Sequence, residues 1–193
     1  MTAERQQKIE QVLSHRQANL TVVLEDVQDP RNITAVMRTC DGVGIQDIYI
    51  INTNLPQIRK FKFKSGSSAA KWVTIHQFTN VADCFAELRG KFSTILTTHL
   101  SSDAVNLYAI DFTESVALVF GNEQNGISEE MKALADGNFV IPQVGMVQSL
   151  NISVACAVSV YEAYRQKKQA GHYDQPGLPE GRLGAMREEW GKA

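Results

Sequence analysis

Three polar loops carry the residues whose types could do chemistry. They read "DPRN" at 29–32, "GNEQNG" at 121–126 and "QVGMVQSLN" at 143–151. Each follows a run of apolar or β-branched residues that predicts a buried strand. In open parallel sheets, ligands bind beyond the carboxyl ends of the strands. We therefore expect the three loops to share one edge of a sheet and to form a ligand site there.

The second and third loops hold more polar groups than a turn or a cap needs. Gly121 and Gly126 either let the backbone approach a ligand or simply make a turn, and Glu123 adds a carboxylate between them. In the third loop, Ser149 or Asn151 is a candidate N-cap for the helix that follows. One cap does not explain all the polarity of that loop, so the loops together favour a ligand site.

Other patterns argue against several common chemistries. The stretch "GVGIQD" at 42–47 is nearly a dinucleotide fingerprint, but it closes a predicted helix and precedes a strand, whereas a working fingerprint does the reverse. The missing glycine loop also argues against Rossmann-type methyltransferases. There is no Gly-x-Ser-x-Gly elbow, and the four histidines have neither triad nor metal spacing. We expect no metal site.

Composition bounds the class of protein. The chain has 193 residues, of which 44% are hydrophobic and 21% charged, with a net charge of -2, as expected for one globular domain. This charge gives no general argument for nucleic acid, although it leaves room for a local basic face. The three cysteines lack metal-like spacing and are expected to be reduced. No apolar run reaches the ~18 residues of a membrane span, so we expect a cytoplasmic protein without a membrane partner.

Strand-like and helix-like segments alternate along the chain. This alternation predicts an α/β fold with an open, mostly parallel sheet and helices on both faces. A polar N-terminal helix forms an extension over residues 1–19, a main domain spans 20–168, and the Gly- and Pro-rich tail, 169–193, is expected to be partly ordered. The predicted strands are "LTVVLEDV", "DIYIIN", "KWVTIHQF", "FSTILTTHL", "SVALVFG" and "NFVIP".

Three stretches resemble, in order and spacing, the three motifs of the SPOUT methyltransferases. They are "NITAVMRTCDGVG", "LVFGNEQNGIS" and "IPQVGMVQSLNISVACAVSVYEAYRQ". The resemblance covers about residues 20–168, and the N-terminal helix with "RQANLTVVLEDV" resembles the TrmH branch. It implies a C-terminal trefoil knot that holds S-adenosyl-L-methionine, a homodimer whose site uses both chains, and methylation of the ribose 2′-oxygen of guanosine 18 in the D-loop of tRNA.

The resemblance also implies roles for residues of this chain. Arg38 would lie at the ribose hydroxyl, either as a base or as a group that holds phosphate and stabilises alkoxide charge, since an arginine pKa lies above about 12. Asn32 would position Arg38 or cap its helix, and Glu123 would orient the site or the neighbouring subunit. Ser149 and Asn151 would fix the cofactor loop and the arginine. The cofactor pocket would be walled by Leu96, Thr97, His99, Gly121, Ile141, Met146 and Leu150.

Basic residues near this edge are candidates for RNA contacts. Phosphate contacts by such groups make binding strongly dependent on salt. In "KFKFK" the lysines and phenylalanines alternate, which an edge strand would also explain. The first loop reads Pro-Arg-Asn where the TrmH branch commonly has Pro-His-Asn, a departure that bears on the choice of tRNA. The candidate RNA-binding residues are Arg31, Lys60, Lys62, Lys64, Arg165, Lys167 and Lys168.

Two alternative functions stay open at the level of sequence. The first is the same chemistry on ribosomal RNA or on the wobble nucleotide of tRNA. The second is an RNA-binding protein of the same fold that has lost catalysis. The presence of Arg38, Glu123 and Asn151 argues against the second alternative.

Overall fold

A single parallel sheet forms the centre of the protein. The computed structural model describes residues 2–53 and 68–192. Within them, the strands are β1 (Leu20–Glu25), β2 (Asp47–Ile51), β3 (Thr74–Phe78), β4 (Thr94–Thr98), β5 (Val105–Asn106), β6 (Val116–Phe120) and β7 (Gly137–Val140). Their order across the sheet is β3-β2-β1-β6-β4-β7-β5, and every neighbouring pair is parallel. The predicted parallel α/β fold is confirmed, while the knot stays a prediction.

Helices cover both faces of the sheet. They are α1 (Ala3–Leu13), α2 (Pro30–Gly42), α3 (Val81–Arg89), α4 (Glu129–Leu134), α5 (Ile152–Gln169) and α6 (Glu180–Lys192). Side chains alternate along β1: Val22 and Leu24 pack in one core cluster with α2 and α5, and Val23 packs in another with α3 and α4. Because both faces are covered, β1 and β6 are buried along their whole length.

The end of the chain forms a further helix. Within the tail, which the sequence predicts to be partly ordered, residues 180–192 form α6, which packs against α1. Leu183, Met186 and Trp190 recur every three or four residues and cluster with Ile9 and Leu13, the thin apolar stripe of α1. Each of the two helices therefore buries the apolar stripe of the other.

Two further findings bear on the sequence predictions. The cysteines Cys40, Cys84 and Cys156 are buried and unpaired. Among the described residues, no helix has the length and apolar character required to span a bilayer. The two-residue strand β5 escaped prediction because so short a segment carries no periodic pattern.

Candidate active site

A cavity of about 530 Å³ opens at the carboxyl ends of β4, β6 and β7. Its size lies within the usual range for ligand pockets, about 300–1,000 Å³. The second and third polar loops form much of its wall, as the parallel topology predicts. It is lined by Thr98, His99, Leu100, Phe120, Gly121, Asn122, Glu123, Gln124, Gly126, Phe139, Val140, Ile141, Gln143, Gln148, Ser149, Leu150, Asn151, Ile152 and Ala155.

The predicted cofactor residues divide into two groups. His99, Gly121, Ile141 and Leu150 line the cavity, whereas the other three do not. Met146 is fully exposed, because it lies on a segment of the third loop that projects into solvent.

The remaining two are held away from the cavity by packing and hydrogen bonding. Leu96 packs on the core of the α2 face. Thr97 is buried, and its Oγ1 donates to the carbonyl of Gly137 and lies 3.1 Å from Nδ1 of His99. Leu96, Thr97 and Met146 are therefore not wall residues in this structure. Thr98 and Gln148 line the cavity, although no motif in the sequence marks them as site residues.

The second loop is a closed turn that requires glycine at two positions. Asn122 and Gly126 exchange backbone N–H···O bonds of 2.9 Å, and Gly126 has a φ of +69°. A Cβ on Gly121 would lie 2.3 Å from the carbonyl carbon of Gly126. The side-chain oxygen of Asn122 accepts from the amides of Gln124 and Asn125, which keeps the turn tight.

A chain of hydrogen bonds joins all three loops beside the cavity. Nδ2 of Asn151 donates to Oδ1 of Asn32 at 3.2 Å, and Nδ2 of Asn32 donates to Oε1 of Glu123 at 2.9 Å. The amide of Gln28 donates to Oε2 of the same carboxylate. Burial raises the pKa of Glu123, but the bonds from Asn32 and from nearby backbone amides outweigh it and lower the pKa overall.

Helix capping accounts for one of these asparagines and not the other. Asp29 is the N-cap of α2, where its side chain accepts from the amide of Arg31. Asn151 is the N-cap of α5 and accepts from the amide of Ser153 while it also donates to Asn32. Asn32 is thus free of capping. Among the described residues, its side chain forms hydrogen bonds with Glu123 and Asn151. The expected contact with Arg38 is not among them.

Arg38 lies outside the cavity in this single chain. It is exposed on α2 and borders a second cavity of about 560 Å³ with Pro30, Arg31, Thr34, Ala35 and Thr39. The structure records no hydrogen bond or ion pair between its guanidinium and residues 2–53 or 68–192. Its side chain is therefore available to a ligand or to another chain.

One of the predicted RNA-binding residues is buried. Lys167 has no exposed surface, and its Nζ donates to the carbonyl of Glu114 at 3.0 Å. It continues the buried stripe of Val160 and Ala163 along α5, so the prediction that Lys167 contacts RNA is wrong for this structure. Burial lowers the pKa of Lys167 to about 8.

The other predicted RNA-binding residues are placed as follows. Arg31 is exposed and paired with Asp29, Arg165 is exposed and paired with Glu162, and Lys168 is exposed beside the ring of Tyr164. Lys60, Lys62 and Lys64 lie outside the described residues.

The charge and the apolar surface of the cavity wall fit S-adenosyl-L-methionine, the cofactor that the resemblance implies. Among its described lining residues, Glu123 supplies a carboxylate, and there is no lysine or arginine. Burial, and then the positive charge of Lys132, lower the pKa of His99, which favours the neutral ring. The net negative wall suits a sulfonium cation, and Ile141 and Leu150 offer apolar surface. In residues 2–53 and 68–192, no His, Cys, Asp and Glu side chains are grouped to hold a metal ion.

Comparison with known proteins assigns the chain to a family. The family model described as the SpoU rRNA Methylase family matches residues 19–161. A tRNA (guanosine(18)-2′-O)-methyltransferase of Thermus thermophilus is 44% identical over 177 residues, which cover 92% of this chain and 90% of the relative. The chain therefore belongs to the SpoU methylase family.

Solved structures agree with this assignment. The crystal structure of the A. aeolicus TrmH/SpoU tRNA modifying enzyme has a TM-score of 0.87 and 35% identity, and the match covers 97% of this chain and 94% of that one. An AdoMet-bound rRNA methyltransferase of Sinorhizobium meliloti has a TM-score of 0.65 and 28% identity, with 80% of this chain and 59% of that chain covered. The protein is thus similar to methyltransferases along nearly all of its length.

Proposed function

We propose that the protein transfers a methyl group from S-adenosyl-L-methionine to the ribose 2′-oxygen of guanosine 18 in tRNA. The observation that carries the proposal is the hydrogen-bond chain Asn151–Asn32–Glu123, which joins all three loops beside the cavity. The relative at 44% identity supports the choice of tRNA and of guanosine 18. The enzyme would act in the cytoplasm, together with its tRNA substrate.

The residues of the cavity divide the work of binding. Ile141 and Leu150 supply apolar walls, and the turn at Gly121 brings backbone close to the cavity. When bound, S-adenosyl-L-methionine supplies an electrophilic methyl group next to a positively charged sulfur. Glu123 would contribute negative charge to the cavity that holds this cation, and its orientation is fixed by Asn32 and by the Gln28 amide. Ser149 and Asn151 close the wall at the start of α5.

The attacking oxygen belongs to the ribose, and Arg38 is the residue that we place there. Its guanidinium would bind the adjacent phosphate and stabilise the negative charge that develops on the 2′-oxygen. A guanidinium keeps its proton at neutral pH and is a poor acceptor of protons, so stabilisation of charge is the role that this chemistry favours. The oxygen–carbon bond would form as the methyl–sulfur bond breaks, so that S-adenosyl-L-homocysteine leaves and the hydroxyl proton passes to solvent water. Alignment of the oxygen with the methyl group would contribute to the acceleration.

A second copy of the chain would complete the site. Arg38 is exposed and borders a cavity other than the one that holds Glu123. Val154 and Tyr161, on the outer side of α5, are 47% and 53% exposed. A homodimer that buries this side of α5 would cover both side chains and bring the arginine of one copy towards the cavity of the other. Exposed Arg31, Arg165 and Lys168 would contact phosphates.

The test is methyl transfer with purified protein, labelled S-adenosyl-L-methionine and unmodified bulk tRNA, followed by mapping of the 2′-O-methyl nucleotides. The proposal expects label at guanosine 18. Label at the wobble nucleotide, or on ribosomal RNA when that is supplied instead, would keep the chemistry and replace the substrate. Cofactor binding without transfer to any RNA would favour a protein that has lost catalysis. Absence of cofactor binding would refute the enzyme assignment.

A further inference from the structure

Two consecutive acidic residues stand at the end of β1, next to the turn that walls the cavity. Glu25 closes the strand with 1% of its surface exposed, and Asp26 follows with 8% exposed. Asp26 has a φ of +51°. Most side chains pay about 1–2 kcal/mol for this left-handed conformation, whereas Asp and Asn adopt it more readily. The chain therefore bends sharply where it leaves the sheet.

Glu25 holds the far end of the turn. Its Oε1 accepts from the hydroxyl of Ser128 at 2.5 Å, and its Oε2 accepts from the Ser128 amide at 3.1 Å. The Ser128 hydroxyl in turn accepts from the Met131 amide and caps α4. Hydrogen bonds to an ionised carboxylate are about twice as strong as those between neutral groups. The start of α4, and with it the end of the turn, is thus fixed to β1.

Asp26 holds the near end of the same turn. Its carbonyl accepts from Nδ2 of Asn122 at 2.7 Å in a buried setting. Its amide donates to the carbonyl of Ile51, and its carboxylate accepts from the amide and the hydroxyl of Thr53. The left-handed residue is therefore held from both sides, and the carbonyl that anchors Asn122 has a fixed direction.

We infer that Glu25 and Asp26 are positioning residues that fix the two ends of the 121–128 turn and thereby set the shape of the cofactor cavity. The turn between them carries Glu123. Neither acid lines the cavity, so each acts through a neighbour: Glu25 through Ser128, and Asp26 through Asn122. This inference rests on the proposed function, because it assigns the cavity to S-adenosyl-L-methionine.

The experiment compares three variants, Glu25→Gln, Asp26→Ala and Asp26→Asn, in the full-length protein. Glu25→Gln removes one acceptor for Ser128 without changing the size of the side chain. Asp26→Ala strains the left-handed bend and loses both bonds to Thr53, whereas Asp26→Asn tolerates the bend and keeps one acceptor. Glu4→Gln, on the exposed face of α1, is the matched control for loss of one charge.

The first measurement needs no ligand: hydrogen exchange at the amides of Gln124, Asn125 and Gly126. We expect about tenfold faster exchange in both Glu25→Gln and Asp26→Ala. Glu25→Gln weakens the bonds to Ser128. Asp26→Ala strains the left-handed bend whose backbone carbonyl anchors Asn122. Amides in the centre of β1 and β6 should stay protected. Asp26→Asn and the Glu4→Gln control should match the wild type. Equal loss of protection in β1 and β6 would mean that the acids only stabilise the fold, and would overturn the inference.

The second measurement is the affinity for S-adenosyl-L-methionine by calorimetry, with transfer to tRNA at saturating cofactor. We expect about tenfold weaker binding in Glu25→Gln and Asp26→Ala, with most of the rate recovered at saturation and the affinity restored in Asp26→Asn. Unchanged affinity and unchanged exchange would overturn the inference. If the wild-type protein binds no S-adenosyl-L-methionine, the proposed function fails, and the exchange measurement still decides whether the acids hold the turn.

Discussion

Asn32 and Glu123 are separated by 91 residues, yet the amide of one donates to the carboxylate of the other at 2.9 Å. This contact joins the first polar loop to the second, and Asn151 joins the third. The relationship follows from the topology. β1 and β6 are neighbours in the sheet, so the loops after their carboxyl ends meet at the same edge.

Replacement of Asn32 by Asp tests this contact directly. The new carboxylate would face that of Glu123, and the hydrogen bond that Nδ2 of Asn32 donates to Glu123 would be lost. We therefore expect the rate of methyl transfer to fall by about 100-fold at neutral pH. Part of the rate should return at lower pH, when one carboxyl group of the pair takes up a proton. Steady-state rates across pH measure both effects. Asn80→Asp, an exposed N-cap of α3, is the control, and an equal loss there would contradict the interpretation.

Gly121→Ala should abolish cofactor binding in a folded protein. The added Cβ would lie 2.3 Å from the carbonyl carbon of Gly126, so the turn must open and the cavity wall must move. Calorimetric titration with S-adenosyl-L-methionine measures the loss, and circular dichroism checks the fold. Gly184→Ala adds a Cβ within α6 that meets no atom within 4 Å and should bind normally. Normal binding by Gly121→Ala would contradict the assigned position of the wall.

Lys167 makes stability depend on pH above neutrality. Its pKa falls from 10.5 to about 8 on burial, so between these values the unfolded chain binds more protons than the folded one. Stability therefore rises with pH across this range, by up to about 3 kcal/mol at about 1.4 kcal/mol per unit. Lys167→Met should remove that rise. Urea unfolding at pH 7.5 and pH 10 compares the two proteins, and the same rise in both would exclude Lys167 as its source.

Trp190 should hold the end of the chain in place. It is 3% exposed, lies edge-to-face with Trp72 at 5.2 Å between ring centroids, and packs over the guanidinium of Arg16. Trp190→Ala should destabilise the protein by about 3 kcal/mol, as loss of a buried aromatic side chain usually does. Thermal unfolding measures the change. Arg187→Ala, at a half-buried ion-pair residue on the same helix, should shift stability by less than about 1 kcal/mol.

The central strands and helices could be predicted because local signals agree with the tertiary structure. β1 reads as a run of mostly apolar and β-branched residues because both of its faces are covered. Serine is a common N-cap residue, and Ser128 caps α4. The tail could not be predicted in this way. Its apolar residues are buried only because they pack against the apolar stripe of α1, which lies near the other end of the chain.

The site was predictable in its loops but less so in its individual side chains. Gly121, Glu123 and Asn151 follow from loop position. Met146 is exposed because of the way its loop projects, and Lys167 is buried because its side of the helix faces the core. Neither property can be predicted from the residue type and its neighbours in the sequence. The positioning role of Glu25 could not be predicted from the sequence, because its partner, Ser128, lies 103 residues further along the chain.

The most direct test of the account uses two versions of one tRNA that differ only at nucleotide 18. In the first this nucleotide is guanosine, and in the second it is 2′-deoxyguanosine, which lacks the 2′-hydroxyl. With wild-type protein and labelled S-adenosyl-L-methionine, the account predicts transfer to the first RNA and none to the second, and a rate about 100- to 1,000-fold lower on the first RNA for Arg38→Ala. Equal labelling of the two RNAs would contradict it, since the methyl group would then go to a base or to another nucleotide.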